Sequence, residues 1–392
     1  MNAPEFNGGA TRRFSLPTGE LELTVHASRY TPDSLLGFAA RANAKRGFLF
    51  LSKVLGKHWP VTPSRMAQIH ASLAAGIPEP AGPVVFIAMA ETAIGLGQGV
   101  FEAWLANNPG REALFLHSTR YRVGAGPLIE FEEAHSHAPR QFLHLPDGGT
   151  LQRAANLVLI DDEASTGNTF YNLVQACRRL QPGLAGVHLA VITDFMGANG
   201  AAALARRLEL PVTLDACLHG AYRFTPGALP DTGVPGQRYD PHAERGASAG
   251  FGRLGLARAL TLPAGLARKL ADGVGSGERV LVLGTGEFMH AAYRLGAALE
   301  QCGLAVAVQS TTRSPILQWG AVSHVLPLAD NYGEGIANFL YNVVPGQYQQ
   351  VFICHETPPN AALFHLARVL RARLLHFISE DHVDDIAEIP VC

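Results

Sequence analysis

Short apolar runs recur along this chain, separated for the most part by longer stretches with helical patterning. PVVFIAMA (83–90), ALFLHS (113–118), NLVLID (156–161) and GVHLAVITD (186–194) have the length of strands and little polar alternation. Runs of that kind suit a sheet covered on both faces, and their alternation with helices predicts a parallel, doubly wound α/β sheet. Residues 1–35 read as a polar arm with one strand-like alternation, GELELTVHA. Residues 220–255 are rich in Gly, Pro and Arg and read as a linker or a long ordered connection. The boundaries drawn from this pattern are an arm over 1–35, a first domain over 36–240 and a second α/β domain over 241–392.

Beyond the linker the pattern restarts with RVLVLGTGE (279–287), AVAVQSTTRS (305–314) and QVFICHE (350–356). VVFIAMAETAIGLG faces VLVLGTGEFMHAAYRLG, LHSTR faces QSTTR, and LVLIDDEASTGNT faces the region of VFICHETPPNA. The second and third matches share a spacing of 193 residues, from Leu116 to Gln309 and from Asp161 to Cys354, and the first differs by about three. That regularity predicts a duplication, with one fold in both halves and Asp161 and Cys354 at equivalent strand ends.

A chain of 392 residues accommodates two domains of ordinary size, and 47 % hydrophobic with 16 % charged residues excludes a disordered protein. The formal net charge of −2 gives no sign of a nucleic-acid partner or an anionic membrane, so any anion site must be local. Five scattered cysteines without a CxxC pair argue against a zinc site or a disulfide framework and favour a reducing cytoplasm. The first 20 residues lack the apolar core of a secretory signal, and no apolar run reaches membrane-span length, so a soluble cytoplasmic protein is expected. Only four lysines occur, and Lys45, Lys53 and Lys57 fall in one short segment. A solvated helix face and an anion-facing loop both account for that cluster.

The most specific signal is LVLIDDEASTGNT (157–169). Four apolar residues make a buried strand, and the carboxylates Asp161 and Asp162 fall where the strand emerges, the edge at which open α/β sheets bind ligands. Ser165, Thr166, Gly167, Asn168 and Thr169 then lead into a helical stretch. Such a loop can present backbone N–H groups and hydroxyls to a phosphate, while the two acids receive sugar hydroxyls or a hydrated cation. No GxxxxGK[ST] and no GxGxxG precedes an acid here, which removes the common nucleotide loops. Helix capping explains one of the acids but not the whole run.

The run resembles the signature of type I phosphoribosyltransferases, which bind 5-phosphoribosyl-1-pyrophosphate (PRPP). By that resemblance Asp161 and Asp162 contact the ribose hydroxyls and, indirectly, a Mg²⁺ cofactor, and Ser165 to Thr169 hold the 5′-phosphate. The turn in IAMAETAIGLGQG (87–99) stands where the fold's pyrophosphate loop belongs, with Ala90, Glu91 and Thr92 at its apex. An ordinary strand-to-helix turn with helix-packing glycines is the alternative. RANAKRGFLFLSKVLGKHWPVTP (41–63) resembles the substrate-side loop of orotate-like members, which makes Arg46, Lys53, Lys57 and His58 candidate pyrophosphate partners. TRYRVGAGPLIEFEEAHSHAPRQFLHL (119–145) occupies the position of the mobile catalytic loop. Orotate enzymes carry a lysine there; this chain has none, so Arg140 and His137, with Arg122 and His135, are the candidates to replace it.

The fuller resemblance is to the tellurite-resistance-associated phosphoribosyltransferases with a C-terminal TRSP domain, on Thr312-Arg313-Ser314-Pro315 and the flanking LVLGTGEFMH, DNYGEGIANFLYNVVP and CHETPP. It implies PRPP-dependent synthesis of an N-glycosidic bond to a base-like acceptor, in metabolism linked to tellurite or stress resistance. It leaves the acceptor open, and a homodimer is one assembly compatible with it. In the second half TPPN replaces the phosphate cradle, and its prolines lack N–H donors, so a second PRPP site is not expected. Thr312, Arg313 and Ser314 are an anion-binding candidate there, with an active-site wall or partner surface as alternatives. A regulator that binds PRPP or a nucleotide without turnover is the non-enzymatic rival, because the loop lysine is missing.

Overall fold

The computed structural model describes residues 9, 11–43, 46–80, 82–124, 126–132, 140–146, 149–228 and 247–387. The chain opens with a hairpin of β1 (Thr11–Leu16) and β2 (Gly19–Ser28), then a short α1 (Pro32–Leu35) and a second hairpin of β3 (Leu36–Ala40) and β4 (Phe48–Ser52). Next come α2 (Pro63–Ala75), β5 (Val84–Ala88), α3 (Ile94–Asn107) and β6 (Ala113–His117). A third hairpin, β7 (Leu128–Glu132) with β8 (Arg140–His144), leads to α4 (Thr150–Arg153) and β9 (Asn156–Ala164). The first half ends with α5 (Asn168–Arg178), β10 (Gly186–Asp194), α6 (Gly200–Leu208) and β11 (Val212–Pro226).

The first sheet has the order β1-β2-β11-β10-β9-β5-β6, with every pair from β11 to β6 parallel. The four apolar runs are β5, β6, β9 and β10, buried on both faces between two core clusters, with β6 at the edge of the sheet. Residues 11–28, read from sequence as an arm, belong to this sheet. β2 pairs antiparallel with β11 and buries Leu21, Leu23 and Val25 at alternate positions, which is what its period-2 pattern encodes.

The second α/β domain contains α7 (Leu266–Ala271), β12 (Arg279–Gly284), α8 (His290–Gln301), β13 (Ala305–Ser310), β14 (Val325–Leu328) and β15 (Asn338–Tyr341). It closes with β16 (Gln350–His355), α9 (Ala361–Leu370), β17 (Arg373–Phe377) and β18 (Val383–Ile386). Its sheet runs β13-β12-β16-β17-β18, parallel through β17. The order β6-β5-β9-β10 of the first sheet is therefore repeated as β13-β12-β16-β17, the arrangement expected of a duplication.

The register corrects the equivalence drawn from sequence by one residue. Val84 is opposite Ala113 and Asn156, and Val280 is opposite Val306 and Gln350. Asp161 therefore corresponds to His355 and Asp162 to Glu356, while Cys354 corresponds to the buried Ile160. A slip of one residue exchanges the two faces of a strand, and runs that are apolar on both faces do not reveal it. A repeated hydrogen bond supports this register: Ala90 N–H donates to Ser118 Oγ (2.8 Å), and Gly286 N–H donates to Thr311 Oγ1 (2.9 Å).

Candidate functional site

The chain leaves β5 toward β6 on one side and returns through β9 toward β10 on the other, so the C-terminal ends of β5 and β9 flank the switch point of the first sheet. That crevice is where open α/β sheets bind ligands. The two loops singled out in sequence meet there, joined by a hydrogen bond from Met89 N–H to Ile160 O (2.9 Å).

On the β9 side the strand runs on through the acids, because β10 continues to pair as far as Asp194 opposite Ala164. Asp161, Asp162 and Glu163 are half-buried on this rim. Asp161 Oδ1 accepts from Asp162 N–H (2.9 Å), and Thr193 Oγ1 donates to Asp162 O (3.1 Å). Glu163, not among the sequence candidates, is taken by Arg46 Nη2 at 2.6 Å. Burial, and secondarily the neighbouring Asp162, raises the Glu163 pKa, against the pull of Arg46.

Ser165 is half-buried, Thr166 exposed and Gly167 buried at φ +71°, a left-handed conformation that favours glycine. Gly167 is the N-cap of α5 and offers no capping side chain. The first turn of the helix thus points N–H groups outward beside Asn168 and Thr169. Thr166 Oγ1 accepts from Asn168 N–H (3.3 Å), and Asn168 Oδ1 accepts from Arg207 (3.1 Å).

On the β5 side the Ala90–Glu91 peptide is cis, and Thr92 is half-buried. A Cβ at Gly97 would lie 2.3 Å from Ala88 Cβ, so this glycine also serves close helix-to-strand packing. Glu91 is buried between Lys57 (2.6 Å) and Arg313 (3.0 Å). Burial opposes its charge, but Lys57, Arg313 and Arg120 hold its carboxyl down to about 2.

The basic candidates separate. Lys57 is buried, donates to Gly286 O (2.7 Å) and Thr311 O (2.8 Å) and forms an ion pair with Glu91, which ties it to the second domain and turns it away from a pyrophosphate role. Lys53 donates to Asp33 O (2.9 Å) and lies over the Trp59 ring, beside Arg12 and Phe14. His58 is buried next to Tyr341, and burial, then Arg41 and Lys57, push its pKa down to about 3. The expected mobile loop contains the β7–β8 hairpin, whose Ile129, Phe131 and Leu143 enter the core. Arg122 is exposed beside Glu130 (3.2 Å), Arg140 begins β8, and His135 and His137 lie outside the described residues.

The second-domain candidates also take up new roles. Thr312 exchanges backbone hydrogen bonds with Phe339. Arg313 donates to Glu91, to Glu334 (2.9 Å) and to the Tyr121 hydroxyl (3.0 Å), so the cation read as an anion binder is committed to the chain's own groups. Ser314 Oγ accepts from Arg41 (3.1 Å). The seam is reciprocal: Glu287, the equivalent of Glu91, accepts from Thr119 Oγ1 (2.6 Å) and Arg120 N–H (3.0 Å), the equivalents of Thr312 and Arg313. Arg253, absent from the sequence candidates, is buried between Glu287 (3.1 Å) and Glu356 (2.6 Å). Its partners lie 34 and 103 residues away, and no local pattern announces them.

These features define an open α/β crevice joined to a second sheet of the same strand order. A model described as phosphoribosyl transferase matches residues 35–221, and one described as the TRSP domain C-terminal to it matches residues 252–371. The chain belongs to this family of phosphoribosyltransferases, with the TRSP domain following the transferase domain. No curated protein matches it. Similar solved structures include adenine phosphoribosyltransferase from Trypanosoma brucei in complex with AMP, pyrophosphate and ribose-5-phosphate, at 17 % identity, 47 % of this chain, 78 % of that chain and a TM-score of 0.34. The enzyme from Rhodothermus marinus has 15 % identity, 47 % and 97 % coverage and a TM-score of 0.31. No described helix is long and apolar enough to cross a membrane.

Proposed function

We propose that this chain transfers the phosphoribosyl group of PRPP to a nitrogen of a base-like acceptor. The C1′–O bond to pyrophosphate breaks, a C1′–N bond forms, and the acceptor gives up its N–H proton. The observation that carries this reading is the meeting, at one switch point, of the Asp161–Asp162 pair, the start of α5 with its glycine N-cap and the loop after β5. The helix start suits the 5′-phosphate and the acids suit the ribose hydroxyls.

Asp161 and Asp162 also fit a Mg²⁺ ion. Among the described residues no cluster of three or more His, Cys, Asp or Glu side chains is set to hold a metal, and Glu163 is spent on Arg46. As neighbours on one strand Asp161 and Asp162 face opposite sides, so Mg²⁺ would be held by substrate oxygens and water, with the carboxylates reaching it through those ligands. When bound, the cation supplies charge neutralisation for the departing pyrophosphate. The β7–β8 hairpin is the element suited to cover the crevice, with Arg140 at its start on β8 and His137 in the segment before it. By the family resemblance the product is a nucleotide-like metabolite of tellurite or stress resistance.

The test is a thermal shift with Mg²⁺ and PRPP. The wild type should melt higher with ligand, and Asp161→Asn with Asp162→Asn should abolish the shift while leaving the ligand-free melting temperature near wild type. An unchanged shift in the double variant would refute the site.

A further inference from the structure

The first sheet alone does not hold the β3–β4 hairpin beside the crevice. Leu317 N–H donates to Ala40 O (2.9 Å) and Ala321 N–H to Phe38 O (2.8 Å), so a second-domain segment lies along β3. Leu49 and Leu51 of the hairpin share a core with Ile316, Phe339 and Tyr341. The Thr312–Ser314 turn leading into this segment is tightly fixed. The Tyr341 hydroxyl donates to Ser314 O (2.6 Å) and accepts from Ile316 N–H (2.8 Å), and Ser314 N–H donates to Thr312 Oγ1 (3.2 Å). From this turn Arg313 reaches Glu91 on the loop after β5, and Ser314 reaches Arg41 at the end of β3.

Arg41 is the unbalanced group. Its Nε is sealed from solvent and has no partner among the described residues, and the acceptor its guanidinium does find is a neutral hydroxyl. It feels the charges of Asp162 and Glu163, yet Glu163 is already paired with Arg46. Burial, then the nearby Arg46, push its pKa down to about 10. A half-buried guanidinium with a sealed, unbonded Nε and no bonded carboxylate among the described residues is unfavourable, and an arriving anion with hydrogen-bond acceptors would relieve it. We infer that the second domain completes the phosphoribosyltransferase site, with Ser314 positioning Arg41 to receive a phosphate or pyrophosphate oxygen of PRPP. This rests on the reading of the crevice given under the proposed function.

The test uses the full chain, with calorimetric titration by PRPP, inorganic pyrophosphate and ribose 5-phosphate, each with Mg²⁺, on the wild type, Arg41→Gln, Arg41→Lys and Ser314→Ala. Loss of a charge-assisted contact should weaken PRPP by about tenfold or more in Arg41→Gln, with part of the affinity kept in Arg41→Lys. Ser314→Ala, which keeps the charge, should weaken it severalfold. The ligand-free melting temperature of Arg41→Gln should stay level or rise, because a poorly compensated charge is removed; a purely structural arginine would lower it. Parallel loss of pyrophosphate affinity would place Arg41 on the leaving group, and parallel loss of ribose 5-phosphate affinity would place it on the 5′-phosphate. Wild-type PRPP affinity in both Arg41→Gln and Ser314→Ala overturns the inference and leaves the crevice reading standing. A wild type that binds none of the three probes overturns the crevice reading itself.

Discussion

Asp162 and Glu356 occupy equivalent positions at the ends of β9 and β16, and their surroundings separate the two crevices. Asp162 is half-buried on a rim, followed by small residues and a helix that begins without a capping side chain. Glu356 is buried, and its carboxylate accepts from Arg253, Ser248 and the Tyr332 hydroxyl (2.9 Å). The Tyr332 ring also covers Gly286, where a Cβ would lie 3.2 Å from it, and Pro358 and Pro359 remove N–H donors ahead of α9. In the second sheet Arg253 and Tyr332 fill the crevice whose counterpart in the first is the one proposed to bind PRPP. A shared strand order supplies the crevice; the side chains brought to its rim decide whether it binds.

Acid should produce the largest effect, and it should fall on the filled crevice and the seam. Burial first of all keeps His58 and His70 neutral, with pKa values down to about 3, and His117, His188 and His355 down to about 4. Because these folded values lie below the unfolded value of about 6.5, protonation favours unfolding. Stability is therefore complete above about pH 6.5 and is lost toward pH 4, by up to ~1.4 kcal/mol per pH unit for each group. Glu91, held down to about 2, adds stability above its ordinary range that is lost as the pH falls toward 2. Denaturant midpoints between pH 7.5 and 5 should fall steeply, and a flat profile would contradict the buried neutral histidines. Next in size, Arg253→Met should cost about 3–5 kcal/mol, since two buried carboxylates lose their cation. Adding Glu356→Gln should recover part of the loss; a single variant that melts like the wild type would break the picture of a filled second crevice.

The strands β5, β6, β9 and β10 were legible because runs apolar on both faces have few other readings, and LVLIDDEASTGNT was legible because its acids, loop and helix start are contiguous. The β7–β8 hairpin was not read, although LIEFE carries the period-2 pattern that buries Ile129 and Phe131; long loops rich in Gly and His obscure short strands. β11 was missed because VTLDACLHGAYRFTP mixes polar residues into a strand exposed along part of its length. The seam was invisible for a different reason. Lys57, read as a ligand cation, is matched by carbonyls 229 and 254 residues away, and no spacing rule reaches that far. Arg41 is the first residue of the basic segment 41–63 and, in the sequence, is indistinguishable from Arg46.

The smallest predicted effect is also the sharpest comparison, because it perturbs equivalent bonds in the two halves. Ser118 Oγ accepts from Ala90 N–H at 2.8 Å and Thr311 Oγ1 from Gly286 N–H at 2.9 Å, and both hydroxyls are buried. Ser118→Ala and Thr311→Val each leave one buried backbone N–H unsatisfied, so each should cost about 1–2 kcal/mol in denaturant melts. Their consequences for ligand should differ. Ala90 N–H belongs to the loop read as the pyrophosphate cradle, and freeing it alters the position of that loop, so Ser118→Ala should weaken pyrophosphate and PRPP severalfold. Gly286 N–H belongs to a turn whose crevice is filled by Tyr332 and Arg253, so Thr311→Val should leave both affinities within twofold of wild type. Equal stability losses with ligand affinity lost in only the first variant would match the division drawn here. Equal losses of affinity in both variants would mean that the second crevice is coupled to the first as a working site.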